Sequence, residues 1–334
     1  MIDLSTQYLG LELRNPLVVG ASPLCNEISN LREMEDAGAG AIVLRSLFEE
    51  EINSEVYELD RFLCECSDIG AENSNLYPDL SKFGIGLDRY LERIAEAKQA
   101  ISIPVIASLN GISRGGWVSY AREMQQAGAD AIELNVYFIP TDPAEGSERI
   151  EARYLDLVSE VRATVTIPVA VKLGPNFSSF AVMARRLEDA GADGLVLFNR
   201  FYQPDFDLEA LEVRPALQLS DSSELPMRLF WTAVLYEQIQ ADIAVTGGVH
   251  VAEDVVKSIM AGARVTQLCS ALLKNGMGYL RPLRHRLEFW MEKHGYDSVR
   301  QMQGCMSQKN VPNPKALMRA NYMNVLSSYT EVLK

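Results

Sequence analysis

Four segments of this 334-residue chain repeat one pattern: "DAGAGAIVL" at 36–44, "QAGADAIEL" at 126–134, "DAGADGLVL" at 189–197 and "MAGARVTQL" at 260–268. Each sets Ala-Gly-Ala between an amphipathic helical stretch and a short apolar run. Glycine at that point lets the chain leave a helix in a left-handed conformation and turn at once into a strand. A recurring helix-to-strand joint restricts the chain to folds that alternate the two. Between the repeats lie four further apolar runs, "NPLVVGA" at 15–21, "IPVIASL" at 103–109, "IPVAVKL" at 167–173 and "DIAVTGG" at 242–248. All eight are continuous rather than alternating, the pattern of strands covered on both faces.

Helical patterns follow each run, from "NLREMEDAG" through "LDRYLERIAEAKQAI" and "ARYLDLVSEVRATV" to "LRPLRHRLEFWMEKHG". Eight strands alternating with eight helices predict an α/β fold of the (β/α)8 TIM-barrel type. A doubly wound open sheet would carry a glycine-rich turn after its first strand, and "VVGASPLC" is not one. Unequal spacing of the repeats places insertions at 47–86 and 200–228, after the second and sixth strands. The expected organisation is a barrel over 1–296 and a C-terminal helical extension over 297–334, whose Pro-Asn-Pro at 312–314 sets off a last helix.

Composition narrows the function classes. Hydrophobic residues make up 48% of the chain, enough for a large core, yet no apolar run approaches the roughly 20 residues of a membrane helix. The N-terminus lacks a basic-then-apolar leader, so a cytoplasmic protein without membrane association is expected. A net charge of −14 argues against nonspecific nucleic-acid binding. Of the five cysteines, only Cys64 and Cys66 are close-set, and no second pair completes a metal site. Reduced thiols and no metal are the expectation.

Barrel enzymes build their sites at the carboxyl ends of the strands. In order, those ends are Ala21-Ser22, Arg45-Ser46, Asn110, Asn135, Lys172, Asn199-Arg200, Gly247-Gly248 and Cys269-Ser270. The Gly-Gly turn and Ser270 stand after the seventh and eighth strands, where backbone N–H groups commonly hold a phosphate. Lys172, in "AVKLG", is a cation in an otherwise buried strand. It needs either a core carboxylate as partner or an electron-rich ligand to face. Arg45 invites the same argument, a rim salt bridge being its plain alternative. His285 and His294 lie in the last barrel helix as surface residues, and His250 follows the Gly-Gly turn.

The succession "NPLVVGAS", "IVLRS", "IELN", "VKL", "FN" and "VTGGV" resembles the dihydroorotate dehydrogenases, FMN-binding barrels of the pyrimidine pathway. The resemblance covers roughly residues 1–300 in order and spacing. It implies that Ala21 and Ser22 line the flavin, with Arg45 and Cys269 beside it. Lys172 would contact the pyrimidine edge of the ring, favouring negative charge on the reduced form. Gly247, Gly248 and Ser270 would hold the phosphate. Asn135, Asn199 and an asparagine of "ENSN", Asn73 or Asn75, would bind flavin or substrate amide edges. The likeness is to the soluble class, which often dimerises and lacks a membrane-docking extension.

The departures from the family pattern fall on proton transfer. Arg45 replaces the usual lysine, a planar fork for a point charge. The family's Cys or Ser base stands three residues after the first asparagine of the fourth strand; here that residue is Phe138. Pro140 replaces the second asparagine, and Arg200 replaces a serine. Tyr137 and Tyr202 are phenols able to donate a proton, Cys25 is a thiol in the loop after the first strand, and Arg45 with Arg200 suits a carboxylate. The expected activity is FMN-dependent hydride transfer at a C–C bond of a small anionic substrate, dihydroorotate or orotate among the candidates, with Lys172, Arg45 and Tyr137 as catalytic residues. A flavin reductase of another substrate with a tyrosine acid is the alternative. So is an electron-relay subunit docking a partner protein through 297–334, or a flavin-free lyase with Lys172 as Schiff-base amine.

Overall fold

A computed structural model of the chain describes residues 2–51, 86–111, 117–202, 204–214, 217–318, 322 and 324–327. Eight parallel strands close on themselves: β3 (Leu17–Val19), β4 (Ala41–Val43), β6 (Val105–Asn110), β7 (Ala131–Asn135), β8 (Val169–Leu173), β9 (Gly194–Leu197), β12 (Asp242–Thr246) and β13 (Val265–Leu268). Pairing of β13 with β3 and of β4 with β6 completes the ring. The short β5 (Leu47–Phe48) extends the β6 edge at the carboxyl rim. This is the (β/α)8 barrel that the repeats predict.

The four repeat glycines do what their position requires. Gly38, Gly128, Gly191 and Gly262 have φ of 109°, 102°, 104° and 127°. Each ends a helix: α1 (Ile28–Ala37), α3 (Trp117–Gln126), α5 (Phe180–Asp189) and α7 (Ala252–Ala261). The N–H of Gly38 reaches back to the carbonyls of Met34 and Glu35, satisfying the last turn of α1. The remaining helices in chain order are α2 (Leu87–Ala100), α4 (Ser147–Arg162), α6 (Leu225–Leu235), α8 (Ser270–Asn275), α9 (Leu280–Lys293) and α10 (Val299–Met302).

Two cores result. The larger lies between the barrel and its helices and holds Leu31, Met34, Trp117, Phe180 and Leu287, all at or near zero exposure. The smaller fills the barrel from below. A hairpin of β1 (Thr6–Tyr8) and β2 (Leu11–Leu13) inserts Tyr8, Leu9 and Leu13 among inward-facing Val18, Ala41, Ala131, Ala170, Val196 and Ala244. The small residues at that level make room for the plug. A Cβ added at Gly194 would stand 2.6 Å from the Leu9 side chain. The Leu9 N–H donates to Asp242 at 2.8 Å, tying the plug to the foot of β12.

The first predicted insertion begins with β5, and 52–85 lies outside the described residues. The second contains the antiparallel hairpin β10 (Asp205–Asp207) and β11 (Glu212–Arg214), with Phe206 opposite Val213 and both exposed. Beyond α10 the chain is held against the barrel by backbone bonds from Gly304 to Ile259, Met306 to Met260 and Gln308 to Ala233. No helix among the described residues is long and apolar enough to cross a membrane.

Gly304, at φ 71°, packs on Tyr236 so closely that a Cβ would lie 2.2 Å from the ring. Gly304→Ala is expected to cost about 1–3 kcal/mol, through overpacking and left-handed strain. Urea denaturation of the full chain measures it, and an unchanged midpoint would mean the segment does not contribute to barrel stability.

Candidate active site

Inward-facing positions on the strands change chemistry from bottom to top. On β6 they run Ile106, Ser108, Asn110; on β7 Ala131, Glu133, Asn135; on β8 Ala170, Lys172; on β13 Val265, Gln267, Cys269. The floor is apolar, the middle is polar, and the rim carries the candidate site. Glu133 is wholly buried, with Lys172 Nζ 3.7 Å from its Oε1 and Gln267 Nε2 donating to its Oε2 at 2.6 Å. Of the two readings open for Lys172, partnership with a core carboxylate is realised, while its upper side still lines a cavity.

Across the rim runs a chain of side-chain hydrogen bonds. Asn199 Nδ2 donates to Asn135 Oδ1 at 2.8 Å, and Asn135 Nδ2 donates to Ser46 Oγ at 3.3 Å. Ser46 and Ser108 share a 2.7 Å bond, and Tyr90 clamps Ser108 by bonding both its backbone N–H and its carbonyl. The asparagines named from the sequence therefore hold each other in register. Asn73 and Asn75 lie outside the described residues.

A cavity of about 70 Å³ opens above Lys172. Its walls include Ala21, Lys172, Asn199, Gly247, Gly248, Gln267, Cys269 and Ser270, gathering most of the predicted cofactor residues. Ser22 is buried beneath, against Cys25. Gly247 and Gly248 have φ of 80° and 82°. A Cβ on Gly248 would fall 2.6 Å from the Leu225 nitrogen, so only glycine can present this backbone. Around the turn, Ser220 Oγ accepts the Gly248 N–H at 3.4 Å and pairs with His250 Nε2 at 3.1 Å. The Ser220 N–H donates to Ser270 Oγ at 3.2 Å, and Lys274 Nζ donates to the Ser220 carbonyl at 2.7 Å. The Gly248 N–H and the His250 ring nitrogen meet the Ser220 hydroxyl, while Lys274 of α8 holds the Ser220 backbone carbonyl. Buried Arg228 adds a cation beside Gly247.

Both arginines expected to meet an anionic substrate are committed elsewhere. Arg45 forms a bidentate pair with Glu51 at 2.8 and 2.7 Å. Arg200 forms another with Glu224 at 3.1 and 2.9 Å. Tyr137 and Tyr202 do meet: the Tyr202 N–H donates to the Tyr137 hydroxyl at 3.2 Å, and the rings lie 6.3 Å apart. Burial pushes the Tyr202 phenol above its usual value. Phe138 is half-buried with the Arg153 guanidinium 5.3 Å over its ring. Cys25 does not reach the rim; it sits in a 3-10 turn (Pro23–Asn26) at 1% exposure, where burial drives its thiol up to about 12. His285 and His294 are exposed, as expected.

Reading the strands as uniformly apolar missed Glu133, Gln267 and Ser108. The signal was present: "IELN" places Glu133, and "VTQL" places Gln267, two positions before a rim residue, Asn135 and Cys269 respectively. Period-two side-chain alternation puts such a residue on the same inward face as the rim residue.

A closed parallel barrel with a glycine turn after its seventh strand, and a paired lysine beneath the adjoining cavity, defines a class of barrel with its candidate site at the carboxyl rim. A family model described as dihydroorotate dehydrogenase matches residues 81–291. The chain belongs to the dihydroorotate dehydrogenase family and is an oxidoreductase acting on CH–CH groups. It is 28% identical over 314 residues to the dihydroorotate dehydrogenase B (NAD(+)) catalytic subunit of Thermoplasma acidophilum, covering 91% of this chain and 99% of that one. The subunit of the same name from Methanosarcina acetivorans is 29% identical, with 88% and 93% covered. That from Shouchella clausii is 26% identical, with 76% and 82% covered.

Two outcomes test the site. Glu133→Leu leaves Lys172 buried without its counter-charge and is expected to cost about 3 kcal/mol or more, most of it recovered when Lys172→Met is added. Equal denaturation midpoints for the single and double variants would mean the pair is not energetically coupled. Iodoacetamide at pH 8 is expected to leave Cys25 unmodified in the folded protein and to label it in urea, as peptide mapping would show.

Proposed function

We propose that this chain is an FMN-dependent oxidoreductase acting on a carbon–carbon bond, with the cavity above Lys172 as the flavin site. The observation that carries the proposal is the cradle of Gly247, Gly248 and Ser270 on the wall of a cavity that Lys172 also lines, with the Gly248 N–H directed at a hydroxyl oxygen. A phosphate has the charge and the acceptor oxygens to take the place of the Ser220 hydroxyl in that cradle. Gly247, Gly248 and Ser270 would hold it, and Ala21 would leave space for a flat ring. FMN, when bound, supplies an acceptor or donor of hydride at its N5 atom.

The protein's own residues do the rest. Lys172, fixed from below by Glu133, places positive charge at one edge of the cavity without needing to reorganise. Asn135 and Asn199, locked to each other, offer oriented amide groups to ring or substrate. In the position of the family base, Phe138 cannot ionise. Desolvation raises the Tyr202 phenol further above neutrality, so that phenol keeps its proton. This favours the reductive alternative, in which a tyrosine donates a proton to an unsaturated substrate. The dihydroorotate–orotate pair would require another proton acceptor, and its carboxylate would have to displace Glu51 from Arg45 or Glu224 from Arg200.

The names of the relatives, catalytic subunits of an NAD-linked enzyme, support an electron-transfer partner that exchanges electrons between nicotinamide and flavin. A homodimer of the catalytic chain is part of the same proposal.

The test begins with the purified protein. It should be yellow and release FMN on denaturation; a colourless protein that takes up no FMN would sink the reading. In Lys172→Ala, flavin reduction is expected to slow by about 10²–10³ with FMN still bound, in the range of a lost charge-stabilising group. Unchanged reduction kinetics in a flavin-replete variant would remove Lys172 from the mechanism. If Tyr202 is the acid, substrate reduction should persist across neutral pH and fail only above the usual phenol value of about 10.

A further inference from the structure

Beside the flavin cavity lies a second, larger one, of about 180 Å³, between the loops that follow β7, β8 and β9 and the first turns of α4. The two cavities share Asn199 and Arg200. The walls of the second are mainly apolar: Phe138, Ile139, Tyr154, Phe177 and Phe201 face it. Tyr154 and Phe177 pack edge to face at 5.4 Å and stiffen one wall.

The charges around this cavity are already spent. Arg200, the cation on its wall, is held by Glu224. Arg153, over the Phe138 ring, is held by Glu145, and Arg186 by Glu151 at 2.6 Å. Glu151 itself lines the cavity. A carboxylate entering here would give up water, meet a like charge and find each of these cations paired. A neutral group meets no such opposition. One polar handle points the same way. The Tyr137 hydroxyl accepts the Tyr202 N–H, which leaves its own proton to donate, and Tyr137 lines the cavity. The natural acceptor for a phenol proton is a neutral carbonyl oxygen.

We propose that this second cavity is the substrate pocket, and that it takes a neutral compound in which a carbonyl-activated C–C bond carries an aromatic or branched aliphatic group. This deepens the flavin reading, on which its relation to catalysis rests, but the pocket walls are protein residues and can be probed independently. The phenyl-bearing end would lie among Phe138, Phe177 and Phe201, and the carbonyl would meet Tyr137, next to the Asn199–Arg200 junction with the flavin cavity.

A matched pair of probes tests it: methyl cinnamate and cinnamate share a skeleton and differ in charge, with orotate as the third ligand. Calorimetric titration of the purified full-length protein is expected to give at least tenfold tighter binding for the ester than for either anion. Phe201→Ser and Ile139→Ser, both at exposed rim positions that the fold tolerates, are expected to weaken ester binding about fivefold or more, with flavin content unchanged. Equal or tighter binding of cinnamate or orotate would overturn the proposal. So would undetectable ester binding, or ester binding that neither variant alters. Flavin content measured on the same preparations keeps the two readings apart, because a flavin-free protein that still binds the ester would sink only the cofactor reading.

Discussion

The rest of the site depends on a charge placed inside a barrel. Glu133 occupies the middle layer with no exposure, and Lys172 stands directly above it. Two charges taken from water are tolerable there only because each compensates the other and Gln267 satisfies a carboxylate oxygen. The pair marks the level at which the barrel interior stops being core. Below it, Tyr8, Leu9 and Leu13 fill the space against alanines and valines. Above it, nothing apolar could pack on Lys172 without stranding its charge, so a cavity follows.

The hydrogen-bonded chain from Asn199 through Asn135 and Ser46 to Ser108 extends the same logic sideways. Amides and hydroxyls at a half-buried rim stabilise the fold when they bond one another, and the bonds fix their geometry in advance of any ligand. The arginines behave likewise. Arg45 and Arg200, free cations when read as a list of rim residues, are each clasped by a glutamate. Such pairing changes what the rim can recognise, from an anion towards a neutral molecule, without changing a single candidate residue.

Much of this was legible before any coordinates. Four Ala-Gly-Ala joints announced helix-to-strand turns, and all four glycines have the positive φ that such turns demand. Continuous apolar runs gave the parallel strands and their number. Lys172, Asn135, Asn199, Gly247, Gly248 and Ser270 were named from the strand ends and gather around one cavity and its rim. What was less legible had a common cause. Glu133, Ser108 and Gln267 hid inside strands read only for hydrophobicity, and the partners of Arg45 and Arg200 lie 6 and 24 residues further along the chain.

By itself, the sequence determined the periodicities: where helices end, where strands begin, and which polar residues stand at strand termini. These are local properties, set by backbone sterics and side-chain alternation within a few residues. Only the tertiary structure decided which charges remain available. Whether Arg200 meets a substrate or Glu224, whether Cys25 lies at the rim or beneath it, and whether Phe138 faces a cavity are questions about residues distant in sequence. Barrel closure brings them within a few ångströms of each other, and at that range pairing and desolvation fix the chemistry.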